Sequence, residues 1–405
     1  MTHLPHMPWM EWPETRDVLS AFATASVECR FVGGCVRDAL LGFPVSDIDI
    51  ATPCPPEAVM DLLKKATIKA IPTGLKHGTV TAVIGEKHFE ITTLRKDVST
   101  DGRHAEVAFT DDWKEDAQRR DFTMNALYAD ANGTITDYFN GITDAQNGVV
   151  RFIGDARTRI EEDALRILRF FRFSARYAKG NLDEDSLAAC EDKRALIDIL
   201  SGERIQSEMF KLLVSDRAAE MLEIMRVRQI LWHALPIMCN PHILVKLQNL
   251  ENKFGVVRSP IRSLAALIRS KENESKINHD DRLKYFYYRL KFSNQSLHLL
   301  RSLSNPFTPP YDIKTAKSFL RKIGKGLFIE EILISGALYD DYVTTLEPFI
   351  EMARSWIPPT FPVTGDDLIA AGYASGPSLG AELKRLETLW EESEYTLSKE
   401  NLLKL

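Results

Sequence analysis

Apolar positions change their rhythm near residue 145. Up to that point they come in short runs rich in β-branched and aromatic residues, Arg30–Val32, Asp47–Ala51, Thr79–Ile84 and Phe89–Leu94, parted by turn-forming residues. Such runs predict strands. Between them the pattern predicts helices over Arg37–Leu41 and Glu57–Lys65, the latter opening just after the breaker Pro55-Pro56. Beyond residue 145 the spacing switches to three and four. Ile160–Tyr177, Leu187–Leu200, Arg204–Leu213, Ala218–Gln229 and Ile261–Arg269 then read as amphipathic helices. Two Pro-rich breaks, Ser304–Tyr311 and Ile357–Gly365, divide the helical part. The fold class expected is α+β: a head with a small mixed sheet over 1–145, a helical neck over 146–215, a body over 216–305 and a tail over 306–405.

Composition narrows the class without naming it. A chain of 405 residues, 44% hydrophobic and 27% charged, has the balance of a globular protein with more than one core. No apolar run approaches the length of a membrane span, so no membrane partner is expected. The N-terminal segment carries neither a basic start with an apolar stretch nor an Arg-rich, acid-poor character, so a cytoplasmic location is expected. The five cysteines are scattered and unpaired in spacing, which fits reduced thiols acting as small apolar residues. The net charge of −6 argues against a nucleic-acid partner only globally. Phosphate contacts need a local basic surface, and between Arg151 and Lys179 eight basic residues face four acidic ones.

Three constellations carry chemistry. The first is Gly33-Gly34-x-x-Arg37-Asp38 followed by Asp47-x-Asp49. A strand ending at Val32, two glycines and an opening helix suit a triphosphate, whose oxygens meet helix-terminal N–H groups and a guanidinium. Alternate residues of a strand share a face, so Asp47 and Asp49 point the same way, and a cation between them relieves their repulsion. Magnesium, hard and commonly shared with substrate phosphates, is the expected ion. The reaction this supports is in-line attack on an α-phosphate with a pair of metal ions on the attacking and leaving oxygens. A simple Gly-Gly turn and a solvated aspartate are the bland alternative, which the combination of motifs disfavours.

The second constellation is Arg119-Arg120-Asp121-Phe122-Thr123-x-Asn125, whose arginines, aspartate and asparagine can hold phosphates and ribose hydroxyls. The third is Glu162-Asp163-x-x-Arg166-x-x-Arg169-x-x-Arg172, continued by Arg176. On one helix these arginines form a stripe without matching carboxylates, and Asp163 and Arg166 lie one turn apart on the surface. A carboxylate accepting from an exocyclic amine and a guanidinium donating to a ring acceptor can mimic a template base for C or A. A solvated charge ladder is the competing account.

Taken in order, the three sets resemble the class II tRNA nucleotidyltransferases, which share a head with bacterial poly(A) polymerases. The likeness continues through Glu203-Arg204-Ile205-x-x-Glu208-Met209-x-Lys211-Leu212-Leu213. It reaches Thr364-Gly365-Asp366-Asp367-Leu368 and Gly376-Pro377-x-Leu379-Gly380 more loosely. The resemblance implies a polymerase-β-like head that adds CCA to the tRNA 3′ end from CTP and ATP, with a pair of Mg2+ ions and no obligate protein partner. It implies Asp47 and Asp49 as metal ligands and, with Arg120, as the catalytic set. Gly33, Gly34, Arg37, Arg120, Asp121, Asn125, Asp163, Arg166, Arg169 and Arg172 would bind the nucleotide. Glu90 falls where such heads often carry a third carboxylate. The segment Leu94–Phe109, with its Asp101-Gly102-Arg103, resembles a loop that assists the switch from C to A addition, although His104-Ala105 departs from the family pattern.

Other readings stay open. Poly(A) polymerases and enzymes adding only C or only A share the head motifs. His279-Asp280, with His233 and His242, could mark a phosphohydrolase site, but the set lacks the further ligands such a site needs. A tRNA-binding module without catalysis would require neither the aspartate pair nor Arg37. Basic residues of the body and tail, such as Lys246, Arg258, Lys314 and Arg321, could track the tRNA acceptor and TΨC arms or merely be solvated. Tyr285, Phe286, Tyr287 and Tyr288 read as core.

Overall fold

The computed structural model describes residues 2–100, 105–237, 239–270, 279–305 and 307–405. Its head contains nine strands: β1 Arg30–Val32, β2 Ile48–Thr52, β3 Lys69–Gly74, β4 Thr79–Ile84, β5 Lys87–Thr93, β6 Arg95–Thr100, β7 Ala105–Phe109, β8 Leu127–Ala129 and β9 Ile135–Asp137. Seven of them form one sheet in the order β3-β4-β5-β2-β1-β8-β9, while β6 and β7 pair separately. Only β2 and β5 run parallel; the other pairs are antiparallel, so the sheet is mixed.

Sequential alternation sorts the sheet into two faces. Ile48 and Ile50 of β2 and Phe89 and Ile91 of β5 join the main core, where they meet Val18, Phe22, Val59 and Leu63. Those partners sit on α1 (Pro13–Thr24) and on a second head helix that opens at Pro56. The opposite face is smaller: Val32, Ala51, Leu94, Trp113, Tyr128 and Ile153 pack there. Asp49, between Ile48 and Ile50, therefore lies on the less covered face, beside which the neck helices stand.

In chain order the helices of head and neck are α1, α2 (Gly34–Leu40), α3 (Pro56–Lys65), α4 (Trp113–Gln118), α5 (Gly141–Asn147), α6 (Ala156–Glu162), α7 (Leu165–Tyr177), α8 (Glu184–Asp192), α9 (Gly202–Leu213) and α10 (Ala218–Val227). The expected helix over Ile160–Tyr177 is thus two helices, broken at Asp163, which is extended at φ −151° and ψ 101°. The local chemistry explains the break. Glu161, Glu162 and Asp163 place three carboxylates at a helix C-terminus, where the dipole disfavours them. The Asp163 carboxylate instead accepts from the Leu165 N–H and starts α7. The expected helix over Leu187–Leu200 likewise ends at Asp192, with a 3-10 turn over Arg194–Ile199.

The chain separates into two compact units. One comprises Met1–Ile237 with Asp280–Phe292; the other comprises Met238–His279 with Ser293–Leu405. The helix His279–Leu290, within the expected body, thus packs with head and neck, where Phe286 is buried against Phe292. Tyr287 and Tyr288 are exposed rather than core, because that helix turns them away from the face carrying Phe286. In the second unit, helices Ile243–Phe254, Pro260–Arg269 and Lys325–Leu338 bury Leu247, Leu264, Leu267, Ile332 and Leu333. Ion pairs inside that bundle join Arg262 to Glu251 and Glu330, and Arg269 to Glu331. The tail has a small cluster of its own, Val363, Leu368, Leu386, Trp390 and Leu402. Pro309 and Pro310 of the first Pro-rich segment and Pro358, Pro359 and Pro362 of the second fall between helices, where a missing N–H donor costs no helical hydrogen bond.

Candidate active site

The turn between β1 and α2 is built by its glycines. Gly33 has φ +72°, a left-handed value that favours glycine, and a Cβ placed there would stand 3.4 Å from Arg120 Nη1. Its N–H donates to the Leu127 carbonyl on the next strand, so the turn is tied to the sheet. The helix opens at Gly34, earlier than the periodicity predicts, because glycine leaves no apolar mark.

Asp47 stands exposed just before β2, and the Ser46 hydroxyl donates to it at 2.9 Å. Asp49 is half-buried and lies opposite Glu90 in the parallel β2–β5 register, so both carboxylates share a face. Burial raises the Asp49 carboxyl, Glu90 and Asp47 add to the rise, and Arg120 and Arg37 oppose it. The result is a group pushed up to about 6. Two carboxylates with a third on the adjacent strand make an oxygen-only donor set that a hard cation would relieve. Among the described residues no three His, Cys, Asp or Glu side chains form a closed cage. A magnesium site completed by substrate phosphates and water does not need one.

Arg120 is positioned by Asp116, a residue that no motif singled out. Asp116 is 1% exposed and accepts from Arg119, from Arg120 at 3.1 Å and from the Tyr128 hydroxyl at 2.7 Å. Those cations hold its carboxyl well below the usual range despite burial. The Arg119 and Arg120 carbonyls both accept from Arg159, and the Arg119 carbonyl also from Arg166. Two buried guanidiniums therefore clamp the backbone of this segment.

A continuous chain of polar contacts then runs from α2 to α9. Arg37 is buried; it donates to Asp38 and to the Asn125 Oδ1, and its guanidinium covers the Tyr177 ring at 4.3 Å. Asn125 Nδ2 donates to Asp121 at 2.9 Å, and Asp121 accepts from Arg169 Nε at 2.7 Å. Arg169 guides the Asp121 carboxyl down to about 2, together with bonds from Asn125 and the Phe122 N–H, against the effect of burial. Arg169 approaches Glu208 at 3.9 Å, and Glu208 pairs with Arg172 at 2.5 Å.

The arginine stripe of α7 is thus not short of carboxylates, contrary to the sequence expectation. Glu162 faces Arg166, Asp121 and Glu208 face Arg169 and Arg172, and Asp38 lies 3.6 Å from Arg176. These partners come from four different elements, so spacing within one helix could not reveal them. Asp163 and Arg166 are not paired neighbours on a surface either. Asp163 accepts from Arg204 at 2.8 Å, whereas Arg166 is buried and donates to Glu162 at 2.7 Å and to the Arg159 carbonyl. The second and third constellations nevertheless converge with the glycine turn. The only signal for Glu208 and Arg204 was their membership of the Glu203–Leu213 motif.

Two other features locate themselves elsewhere. One cavity, about 1070 Å3, opens between α1, α3 and the end of β4 beside Asp61, Lys65 and Lys69. It holds none of these candidate residues, and volume alone selects no chemistry. His233 pairs with Asp198 at 3.0 Å, which accounts for it without a phosphohydrolase site; the side chains of His279 and Asp280 lie outside the described residues. The Asp101-Gly102-Arg103-His104 core of the expected switching loop also lies outside them, between the ends of β6 and β7.

Known proteins with this arrangement are consistent. A family described as the poly A polymerase head domain matches residues 29–151, and one described as a probable RNA and SrmB-binding site of polymerase A matches 181–240. The CCA tRNA nucleotidyltransferase 1, mitochondrial, of Mus musculus is 34% identical across 96% of this chain and 88% of its own length. A CCA-adding enzyme of Lactobacillus helveticus is 41% identical over about half of each chain, 51% of both. The Bacillus stearothermophilus CCA-adding enzyme, solved in complex with CTP, superposes with a TM-score of 0.76 at 27% identity, covering 97% of this chain and 96% of that one. The chain belongs to the family of CCA-adding tRNA nucleotidyltransferases.

Proposed function

We propose that this chain completes the 3′ end of tRNA by adding C, C and A from CTP and ATP, releasing pyrophosphate at each step. The observation that carries the reading is the convergence of Asp49, its strand partner Glu90 and the Arg120 guanidinium on the Gly33 turn, within a chain that matches CCA-adding relatives over nearly its full length. Head 1–145, neck 146–215, body 216–305 and tail 306–405 serve as working boundaries, the last two as the surface for the tRNA arms.

Asp47 and Asp49 would hold a pair of magnesium ions, which when bound lower the barrier by stabilising charge on the attacking and leaving oxygens. The chain's own residues do the rest. Gly33 and Gly34 let the backbone approach the phosphates, and Arg120, held by Asp116, faces them as a fixed cation. Arg37 is committed to Asp38 and Asn125, so it sets the floor of the site, and Asn125 and Asp121 meet the ribose from there. Arg169 and Arg172, 30% and 20% exposed, are the more accessible phosphate and nucleotide contacts of α7. Asp163 and Arg166 choose the base: Arg204 and Glu162 hold them in place before any nucleotide arrives, which reduces the ordering entropy lost on binding.

No described helix is long and apolar enough to cross a membrane, and among the described residues the cysteines form no disulfide. We read the site of action as the cytoplasm, and subcellular fractionation tests that against the mitochondrial naming of the mouse relative. The decisive assay incubates the protein with tRNAs ending before CCA, after C and after CC, each with CTP or ATP alone. Stepwise growth by C, C and A is expected. Long A tails would establish poly(A) synthesis, and growth of only one substrate class would establish a partial enzyme.

A further inference from the structure

The rim beside Asp47 carries an exposed aromatic group that the nucleotide site does not use. Phe43 lies in the loop joining α2 to β2, four residues before Asp47, and its ring is 37% exposed. The loop is anchored, since the Phe43 N–H donates to the Asp38 carbonyl at 2.8 Å. The ring stands edge-on to Tyr177 at 5.7 Å, and the Arg176 guanidinium, 52% exposed, lies 5.7 Å from its centre. Tyr177 is fixed in turn by its hydroxyl on Asp38 and by Arg37 over its face. Asp38 accepts from both Arg37 and Tyr177, so Phe43 joins the polar network of the site through Tyr177.

The position of this ring matters for the RNA. The nucleotide contacts centre on Arg120, Asp121 and Arg169, and base selection is assigned to the N-terminal end of α7. Tyr177 and Arg176 end the same helix, roughly 15 Å further along its axis. The acceptor strand has to come in from solvent and bring its 3′ oxygen to Asp47 and Asp49. A rigid aromatic ring flanked by an open guanidinium, directly before Asp47, is chemistry that single-stranded RNA uses: ring on base, cation on phosphate. Stacking tolerates any base, which suits a strand whose last nucleotide changes with each addition.

We propose that Phe43, flanked by Arg176, is the stacking platform for a base in the single-stranded 3′ end of the acceptor RNA. The proposal rests on the nucleotidyl-transfer reading above. Phe43 would be a positioning residue, engaging the strand rather than the reacting atoms. Phe43→Ala should raise the KM for tRNA by roughly 5- to 150-fold, the range that loss of one base–aromatic stack implies, while the KM for CTP stays within about twofold, as a surface change remote from the nucleotide predicts. Phe43→Trp should restore the KM, and Phe43→Leu, apolar but without a π-face, should not.

The discriminating experiment is a double cycle on the full-length protein with acceptors carrying one abasic nucleotide at each of the last three positions. At one position the penalty of Phe43→Ala should vanish, because the base that stacks is already gone. Equal penalties at all three positions, rescue by Leu as good as by Trp, or an effect on CTP instead of tRNA would each overturn the platform. Absence of addition by the wild-type protein would overturn the nucleotidyl-transfer reading itself, an outcome distinct from wild-type addition that Phe43→Ala leaves unchanged.

Discussion

Removing the Asp49 carboxylate should make this protein more stable while abolishing its activity. Asp49 sits half-buried with Glu90 opposite and Asp47 nearby, and its carboxyl is pushed from 3.8 up to about 6. At about 1.4 kcal/mol per pH unit, holding it ionised in the metal-free fold costs about 3 kcal/mol. The sign follows from proton linkage. The folded protein keeps the proton to a higher pH than the unfolded chain, so folding takes up a proton across that window. Stability therefore falls as pH rises from 3.8 to about 6, and the full cost is present above that. Asp49→Asn preserves the shape and removes the charge. In EDTA at pH 7.5, urea titration of the head transition should show the variant more stable by about 1–3 kcal/mol, and at pH 5 by about half of that. Magnesium should narrow the gap by stabilising the wild type alone. Nucleotide addition by the variant should fall to roughly one thousandth or less, the scale on which preorganised transition-state stabilisation is lost. A variant no more stable than wild type at pH 7.5 in EDTA would refute the like-charge argument; retained addition would refute the metal assignment.

Asp116→Asn should leave Arg119 and Arg120 with a neutral partner in a buried setting, destabilising the head by about 3 kcal/mol and lowering kcat/KM for both CTP and ATP. Thermal melts and steady-state kinetics check it, and a fully active, equally stable protein would refute the positioning role. Arg166→Ala should relax the choice between CTP and ATP while leaving some turnover. Because Glu162 and the Arg119 carbonyl lose a partner, it should also lower stability by about 1–3 kcal/mol. Unchanged selectivity in competition assays would refute its part in base choice.

How much was legible in the sequence depended on whether a residue's partners were local. Strands β1 and β4 were readable to the residue, because each is a run rich in β-branched or aromatic residues bounded by turn-forming ones. The α2 turn was readable from two glycines because one of them takes a positive φ. Strands β8 and β9 were not readable. β8 is buried at every position and so shows no alternation, and β9 is a short edge strand with only Ile135 buried. The break at Asp163 was hidden for a different reason. Apolar spacing continues through it, and only the competition of one side chain with the backbone, together with Arg204 forty-one residues later, ends the helix. Asp116 was invisible because no motif contains it and its burial and its bond from Tyr128 emerge only in the fold, whereas Glu208 was named by its motif without its partners Arg169 and Arg172. The motifs named most of the charged residues, and the structure supplied their pairing.

That pairing bears on how an acidic protein with a net charge of −6 handles polyanions. Without ligand, the site arginines are balanced: Arg119 and Arg120 by Asp116, Arg166 by Glu162, Arg169 by Asp121, Arg172 by Glu208 and Arg204 by Asp163. Unpaired, such a stripe would repel itself and attract any phosphate. Paired, each guanidinium is held in orientation yet keeps donors to spare, since a carboxylate uses at most two of its five N–H groups. An incoming triphosphate then adds to a network already in place and need not displace a carboxylate. The charge proposed to recognise the nucleotide is therefore also what ties Asp121 to α7 and α9. It follows that weakening Glu208 or Asp121 should disturb nucleotide affinity and head–neck stability together, whereas changes at the exposed rim around Phe43 should affect the RNA alone.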